Sequence, residues 1–189
     1  MTAPAGFTYR GDFLDAGRAD ALLETLWAEA DWTQRDIVLF GRRVAQPRRV
    51  AWMSDPGVSY RYSGLTWPPT PWHAAVADLR KSLENALGRR FNSVLLNAYR
   101  DGRDSMGWHA DDEPELGPEP CIASVSLGAT RRLLVRPAAG GPSTGFDLEH
   151  GSLLVMEGRS QADYRHSVPK TRRPVGRRVN LTFRWIRPR

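Results

Sequence analysis

The sequence predicts a mainly β chain with N-terminal helices, an α+β class whose core is a sandwich or barrel of short strands. Three observations carry this. Apolar residues recur at helical spacing only in the first half of the chain. The second half holds many short strand-like runs separated by Gly, Pro and charged turns. Strands do not alternate with helices, so a parallel β/α architecture is excluded.

Residues 15–31 read as an amphipathic helix. Asp15 is placed to cap it, and Leu22, Leu23, Leu26, Trp27 and Ala30 share one face. A second helix runs from about Trp72 to Leu87, with Val76, Leu79, Leu83 and Leu87 on one side and Gly88 as its stop. The stretch between them is irregular and rich in Arg, Pro and aromatics. Residues 64–71 are expected to be loop, because Pro68, Pro69 and Pro71 deny the backbone regular pairing. Strands are expected over 91–99, 121–127, 132–136, 146–149, 152–156 and 178–186, with Gly140–Ser143 as a hairpin tip. Residues 1–90 would form the helical N-terminal region and 91–189 the β core, within one structural domain.

A chain of 189 residues with 41% hydrophobic content sustains one such core. No apolar run approaches the roughly 18 residues of a membrane span, and Met1–Gly6 lacks a secretory signal's apolar stretch, so no membrane association is expected. The single cysteine, Cys121, rules out an internal disulfide framework and suits a reducing cytoplasm. The formal charge is +6, and Lys81 and Lys170 are the only lysines. Arginine suits bidentate phosphate contacts, which favours nucleic-acid partners; a genome-wide preference for Arg over Lys explains the excess equally well. That composition in a compact chain suggests a bacterial source, and a monomer is expected.

Chemistry concentrates in two places. His109 and Asp111 form a His-x-Asp pair, and His166 lies far downstream. Two imidazoles and one carboxylate are the parts of a site that leaves positions open on Fe(II) for a co-substrate and O2. The segment Arg178–Arg184 alternates Arg178, Asn180, Thr182 and Arg184 on one face of a strand. Two arginines there would pair with a buried dicarboxylate, whose desolvation otherwise costs several kcal/mol. Together they point to an Fe(II)- and 2-oxoglutarate-dependent oxygenase on a double-stranded β-helix, a jelly-roll core buttressed by the two helices. A zinc hydrolase is the rival, but it leaves Arg178 and Arg184 without a purpose. His73 and His150 are read as structural.

Five ordered motifs then resemble the AlkB family: Asn97-x-Tyr99-x-x-Gly102, His109-x-Asp111-Asp112-Glu113, Ile122–Gly128, His166-Ser-Val-Pro169 and Arg178–Arg184. The resemblance runs from about Leu39 to Trp185. That family comprises Fe(II)/2-oxoglutarate dioxygenases that remove alkyl lesions from nucleobases. The resemblance implies that His109, Asp111 and His166 hold iron. It implies that Arg178, helped by Asn97 and Tyr99, pairs with the distal carboxylate of 2-oxoglutarate. Arg184, with Asn180 and Thr182, would hold the keto-acid end.

A flipped base needs aromatic walls and a polar edge reader. By resemblance Tyr60, Tyr62 and Ser63 would line that pocket, making residues 1–90 the nucleotide-recognition region as well. Asp112 and Glu113 would read the base edge, a carboxylate suiting cationic lesions such as 1-methyladenine and 3-methylcytosine. Phe40-Gly41 matches the apolar finger of the duplex-repairing branch, or else a buried hairpin residue. Arg42, Arg43, Arg48 and Arg49 would grip phosphates. The implied activity is direct-reversal demethylation of alkylated DNA, duplex or single-stranded. The alternatives are a same-fold oxygenase acting on RNA or protein, and a non-catalytic nucleic-acid binder. Two departures stand out. The Arg136–Leu148 connection is short and nearly uncharged where duplex-repairing relatives carry a longer basic loop, and Tyr164 stands where relatives often carry Trp.

Overall fold

In the computed structural model of the chain, residues 3–34, 36–39, 42–62 and 65–187 are described; Phe40, Gly41 and Ser63 lie outside them. The strands in chain order are β1 (Phe7–Arg10), β2 (Asp36–Leu39), β3 (Arg42–Ala45), β4 (Arg49–Ser54), β5 (Tyr60–Tyr62), β6 (Leu65–Trp67), β7 (Ser93–Tyr99), β8 (Met106–His109), β9 (Ile122–Gly128), β10 (Arg131–Pro137), β11 (Thr144–Leu148), β12 (Leu153–Met156), β13 (Tyr164–Val168) and β14 (Arg178–Arg184). The helices are α1 (Ala16–Glu29), α2 (Ala74–Leu87) and the single turn α3 (Ser160–Asp163).

Six strands in the order β1-β12-β9-β14-β7-β4 make the larger sheet, and β11-β10-β13-β8 make the smaller. Phe7, Tyr99, Ile122, Leu154 and Met156 of the larger sheet form one buried cluster with Leu133, Val135, Leu148 and Val168 of the smaller. The two sheets therefore face each other across a shared interior, the jelly roll expected. The other face of the larger sheet is covered by the helices. Leu22, Leu23 and Leu26 of α1 and Val76, Leu79 and Leu83 of α2 pack with Val94, Leu96, Val125, Val179, Leu181 and Phe183. All seven residues of β7 and of β14 are consequently buried.

The helix ends follow local chemistry. The Asp15 side chain accepts the Arg18 backbone N–H at 2.9 Å and starts α1. Gly88 closes α2 with φ 61°, a left-handed conformation that favours glycine. His73 caps α2, its Nδ1 accepting the Ala75 N–H at 3.2 Å. His150 Nδ1 accepts the Gly128 N–H at 2.7 Å. Both of these histidines hold structure, as read from the sequence.

The expectations need three corrections. The stretch between the helices is not irregular: it supplies β2 to β6. In β4 the run Val50-Ala-Trp-Met53 is buried and pairs with β7 as a sheet edge. Residues 64–71 are not all loop, because β6 pairs with β5 through Tyr60–Trp67 and Tyr62–Leu65 before the prolines begin. A boundary near residue 90 does not separate the core, since β1 and β4 are strands of the larger sheet. The expected hairpin tip does join β10 to β11. Among the described residues no helix is long and apolar enough to cross a membrane.

Candidate metal and co-substrate site

The site lies between the sheets. β8 and β13 pair antiparallel with His109 directly opposite His166, and a register irregularity follows between His166 and Val168. The two rings lie 4.2 Å apart between centroids. Asp111 sits just beyond the end of β8, where no ladder extends. The ligand atoms of His109, Asp111 and His166 all lie within 4.8 Å of one another.

These residues fit a metal by what they leave unsatisfied. His109 Nδ1 lies 2.9 Å from the Gly107 carbonyl, which can only accept, so Nδ1 is the donor and Nε2 keeps its lone pair. That Nε2 is 3.9 Å from Asp111 Oδ1. Asp111 Oδ1 and His166 Nδ1 are both buried without a hydrogen-bond partner, a costly condition that an ion relieves. Asp111 Oδ2 is already committed, accepting from Arg184 Nη2 at 2.7 Å and Nε at 3.2 Å.

Electrostatics keep all three groups ready. Burial alone would raise the Asp111 carboxyl; the Arg184 guanidinium and the two imidazoles outweigh it and hold its pKa at about 2. Burial, then the neighbouring His109, drives His166 down to about 3. His109 is lowered too, burial again being the largest cause. At neutral pH the set is two neutral imidazoles and a carboxylate, the state a divalent cation requires.

Inward alternation of β14 lines the rest of the cavity. Arg178 is 1% exposed. Its Nη2 donates to Ser126 Oγ at 3.0 Å, while Nε and Nη1 are buried without partners. Burial pulls its pKa below the usual arginine value, and its guanidinium sits 5.0 Å from the Tyr99 ring centre. Asn180 Nδ2 donates to Ser124 Oγ at 2.8 Å and to the Val125 carbonyl at 3.0 Å, and Thr182 Oγ donates to Asn180 Oδ1 at 3.1 Å. Asn97, Tyr99, Arg178, Asn180, Thr182 and Arg184 thus line one cavity with the His–Asp–His cluster. A buried guanidinium with two idle donors fits a dicarboxylate.

The substrate-side residues are more scattered. Asp112 is exposed and pairs with Arg165 at 3.0 Å, and Glu113 is half-buried. Tyr60 and Tyr62 lie in β5, and Arg42 and Arg43 in β3; Phe40, Gly41 and Ser63 fall outside the described residues. Arg49 is exposed, as a phosphate contact requires. Arg48 corrects the expectation. It is 5% exposed and turns inward, where Nε donates to Asn97 Oδ1 at 2.7 Å and Nη1 reaches the Ser105 carbonyl at 3.4 Å. Its flanking backbone ties (Arg48 N–H to the Gln46 carbonyl, Ser105 N–H to the Pro47 carbonyl) hold it there.

Sequence reading also missed Arg131 and Gln161. Arg131 is buried beside the Tyr99 ring and donates to the carbonyls of Asp101, Asp104 and Pro169. Its signal was an arginine on the inward alternation with Leu133 and Val135. A surface cavity of about 870 Å³ opens elsewhere beside Arg90, Trp185 and Arg187, and none of the cluster lines it.

The jelly roll and its His–Asp–His cluster beside paired arginines define an iron- and 2-oxoglutarate-using class. A family model described as the 2OG-Fe(II) oxygenase superfamily matches residues 6–184. The chain is 42% identical over 186 residues to human alpha-ketoglutarate-dependent dioxygenase alkB homolog 3, covering 93% of this chain and 64% of that protein. It therefore spans just under two thirds of the length of those relatives. It is 38% identical over 181 residues to the mouse DNA oxidative demethylase ALKBH2, covering 90% of this chain and 76% of that protein. Among solved structures, OsALKBH1 superposes with a TM-score of 0.70 at 17% identity over 98% of this chain and 99% of that one, a likeness of fold alone. The chain belongs to the 2OG-Fe(II) oxygenase superfamily and, within it, to the AlkB family; its cofactors are Fe(II) and 2-oxoglutarate, with O2.

Proposed function

We propose that this chain oxidatively demethylates N-alkylated bases such as 1-methyladenine and 3-methylcytosine in DNA, reversing the damage directly. The observation that carries the proposal is the His109–Asp111–His166 cluster in a cavity shared with Arg178, in a chain 38% identical to a DNA oxidative demethylase.

His109, Asp111 and His166 hold the metal in this reading, and Arg184 fixes which carboxylate oxygen of Asp111 is offered. The idle donors of Arg178 take the distal carboxylate of 2-oxoglutarate, beside Asn97 and Tyr99. Arg184, Asn180 and Thr182 receive the keto-acid end. When bound, Fe(II) with 2-oxoglutarate and O2 supplies the oxidising power, yielding succinate, CO2 and a methyl carbon released as formaldehyde. The protein's part is to keep the cavity dry, to orient the bound groups and to present the base. Tyr60, Tyr62 and Ser63 wall the flipped base, Asp112 and Glu113 read its edge, and Phe40-Gly41 with Arg42, Arg43 and Arg49 engage the strand. The lone Cys121 fits a reducing cytoplasm.

The test is demethylation of 1-methyladenine in matched single- and double-stranded oligonucleotides, with and without Fe(II) and 2-oxoglutarate. Cofactor-dependent loss of the methyl group is expected, and the ratio between substrates reads the strand preference. Turnover confined to RNA, or none with 2-oxoglutarate still bound, would transfer the assignment to another substrate.

A further inference from the structure

Gln161 carries no metal-ligand character, yet it is 2% exposed and aimed at the cluster. Its Oε1 accepts the backbone N–H of Asp111 at 2.9 Å. Its own amide nitrogen is spent on Ser160 Oγ at 3.2 Å and Met156 Sδ at 3.5 Å, which fixes the amide with its oxygen towards Asp111. Asp111 lies two residues past the end of β8, where a strand ladder no longer satisfies its backbone. The Gln161 side chain replaces the missing strand partner.

Resting on the reading that the cluster holds iron, we infer that Gln161 is a positioning residue for the carboxylate ligand. Asp111 is then held at two points, its Oδ2 by Arg184 and its backbone by Gln161, leaving Oδ1 unpartnered towards the two histidines. Gln161 sits in α3, the turn that leads directly into β13 and His166. One short segment thus delivers one ligand and sets the position of another. Outer contacts of this kind typically change metal affinity by about 10- to 100-fold.

The experiment is titration of the metal-free full chain with Mn(II) and with Co(II), following the Co(II) absorption bands as a report of ligand geometry. Gln161→Met keeps volume and removes the acceptor; Gln161→Glu restores the acceptor; Leu79→Ala lowers stability from the remote helix core. Gln161→Met is expected to weaken metal binding about 10- to 100-fold and to alter the Co(II) bands. Gln161→Glu should recover most of that affinity, and Leu79→Ala should lower the melting temperature without moving it. Parental affinity in Gln161→Met, or equal losses in Gln161→Met and Leu79→Ala, would overturn the inference. No metal binding by the parent chain would instead overturn the cluster itself.

Discussion

Arg178→Met should abolish tight co-substrate binding while making the empty protein more stable. The guanidinium is buried, and two of its nitrogens have no partner. Replacing a poorly paired buried charge with an apolar side chain of similar volume is often stabilising by about 1–4 kcal/mol. For a chain of this size that is a rise in melting temperature of about 2–4 °C per kcal/mol. With 2-oxoglutarate held by Arg178, as proposed, the sign reverses. Removing one partner of a buried ion pair costs about 3–5 kcal/mol, a loss of affinity from roughly a hundredfold to a few thousandfold. The hydrogen bond described for the Arg178 side chain goes to Ser126, not to Asp111 or either histidine, so metal affinity should stay put. The assay is calorimetric titration of 2-oxoglutarate into Mn(II)-loaded protein, alongside thermal melts of the empty form. Co-substrate affinity within threefold of the parent, or a lowered melting temperature, would refute the reasoning.

Asp111→Ala should remove both metal binding and turnover, and His109→Ala should remove turnover; retained demethylation in either variant would dismiss the cluster. The metal-free protein should lose stability as pH falls below about 6.5. Below that value the unfolded chain binds protons at His166 while the folded chain, with that group near 3, does not. Asp111, near 2 when folded, opposes nothing in that window, since its own contribution is lost only below about pH 4. Denaturant midpoints between pH 8 and pH 5 check this, and a flat profile would count against burial of the neutral ring. Phe40→Ala should depress demethylation of duplex DNA far more than of single strands, and equal losses would remove the finger assignment.

The helices were legible because 3.6-residue periodicity needs no knowledge of partners: α1 and α2 start and stop near Asp15 and Gly88 as expected. The face of β14 was legible for a similar reason. Its polar residues alternate, and the structure buries all of them on the inner side. What escaped depends on pairing between distant segments. β1 has four residues, and its place beside β12 is visible only in the folded sheet. Arg48 reads as a surface cation until Asn97 is found opposite it. Gln161 reads as an ordinary polar residue, because its role is set by the unpaired end of another strand. Gly102 fits a turn from sequence, but the reason it tolerates no side chain is the Thr171 carbonyl packed against it, from the loop before β14.

The His109–His166 pairing bears on the order in which the protein is made ready for work. Side chains in a strand alternate between faces, so sliding β8 by one residue against β13 would send an imidazole to the outer surface. The irregularity beside His166 pins that alignment. The two strands are separated by β9 to β12, so their contact closes a long loop and belongs among the slow, entropically expensive steps of folding. Iron cannot nucleate such a chain in the way zinc organises a finger, because its binding place does not exist until the smaller sheet has closed. The metal should arrive as a late passenger in a finished scaffold. Its removal should then leave the sheets standing, so that the protein can be emptied and refilled without being unfolded.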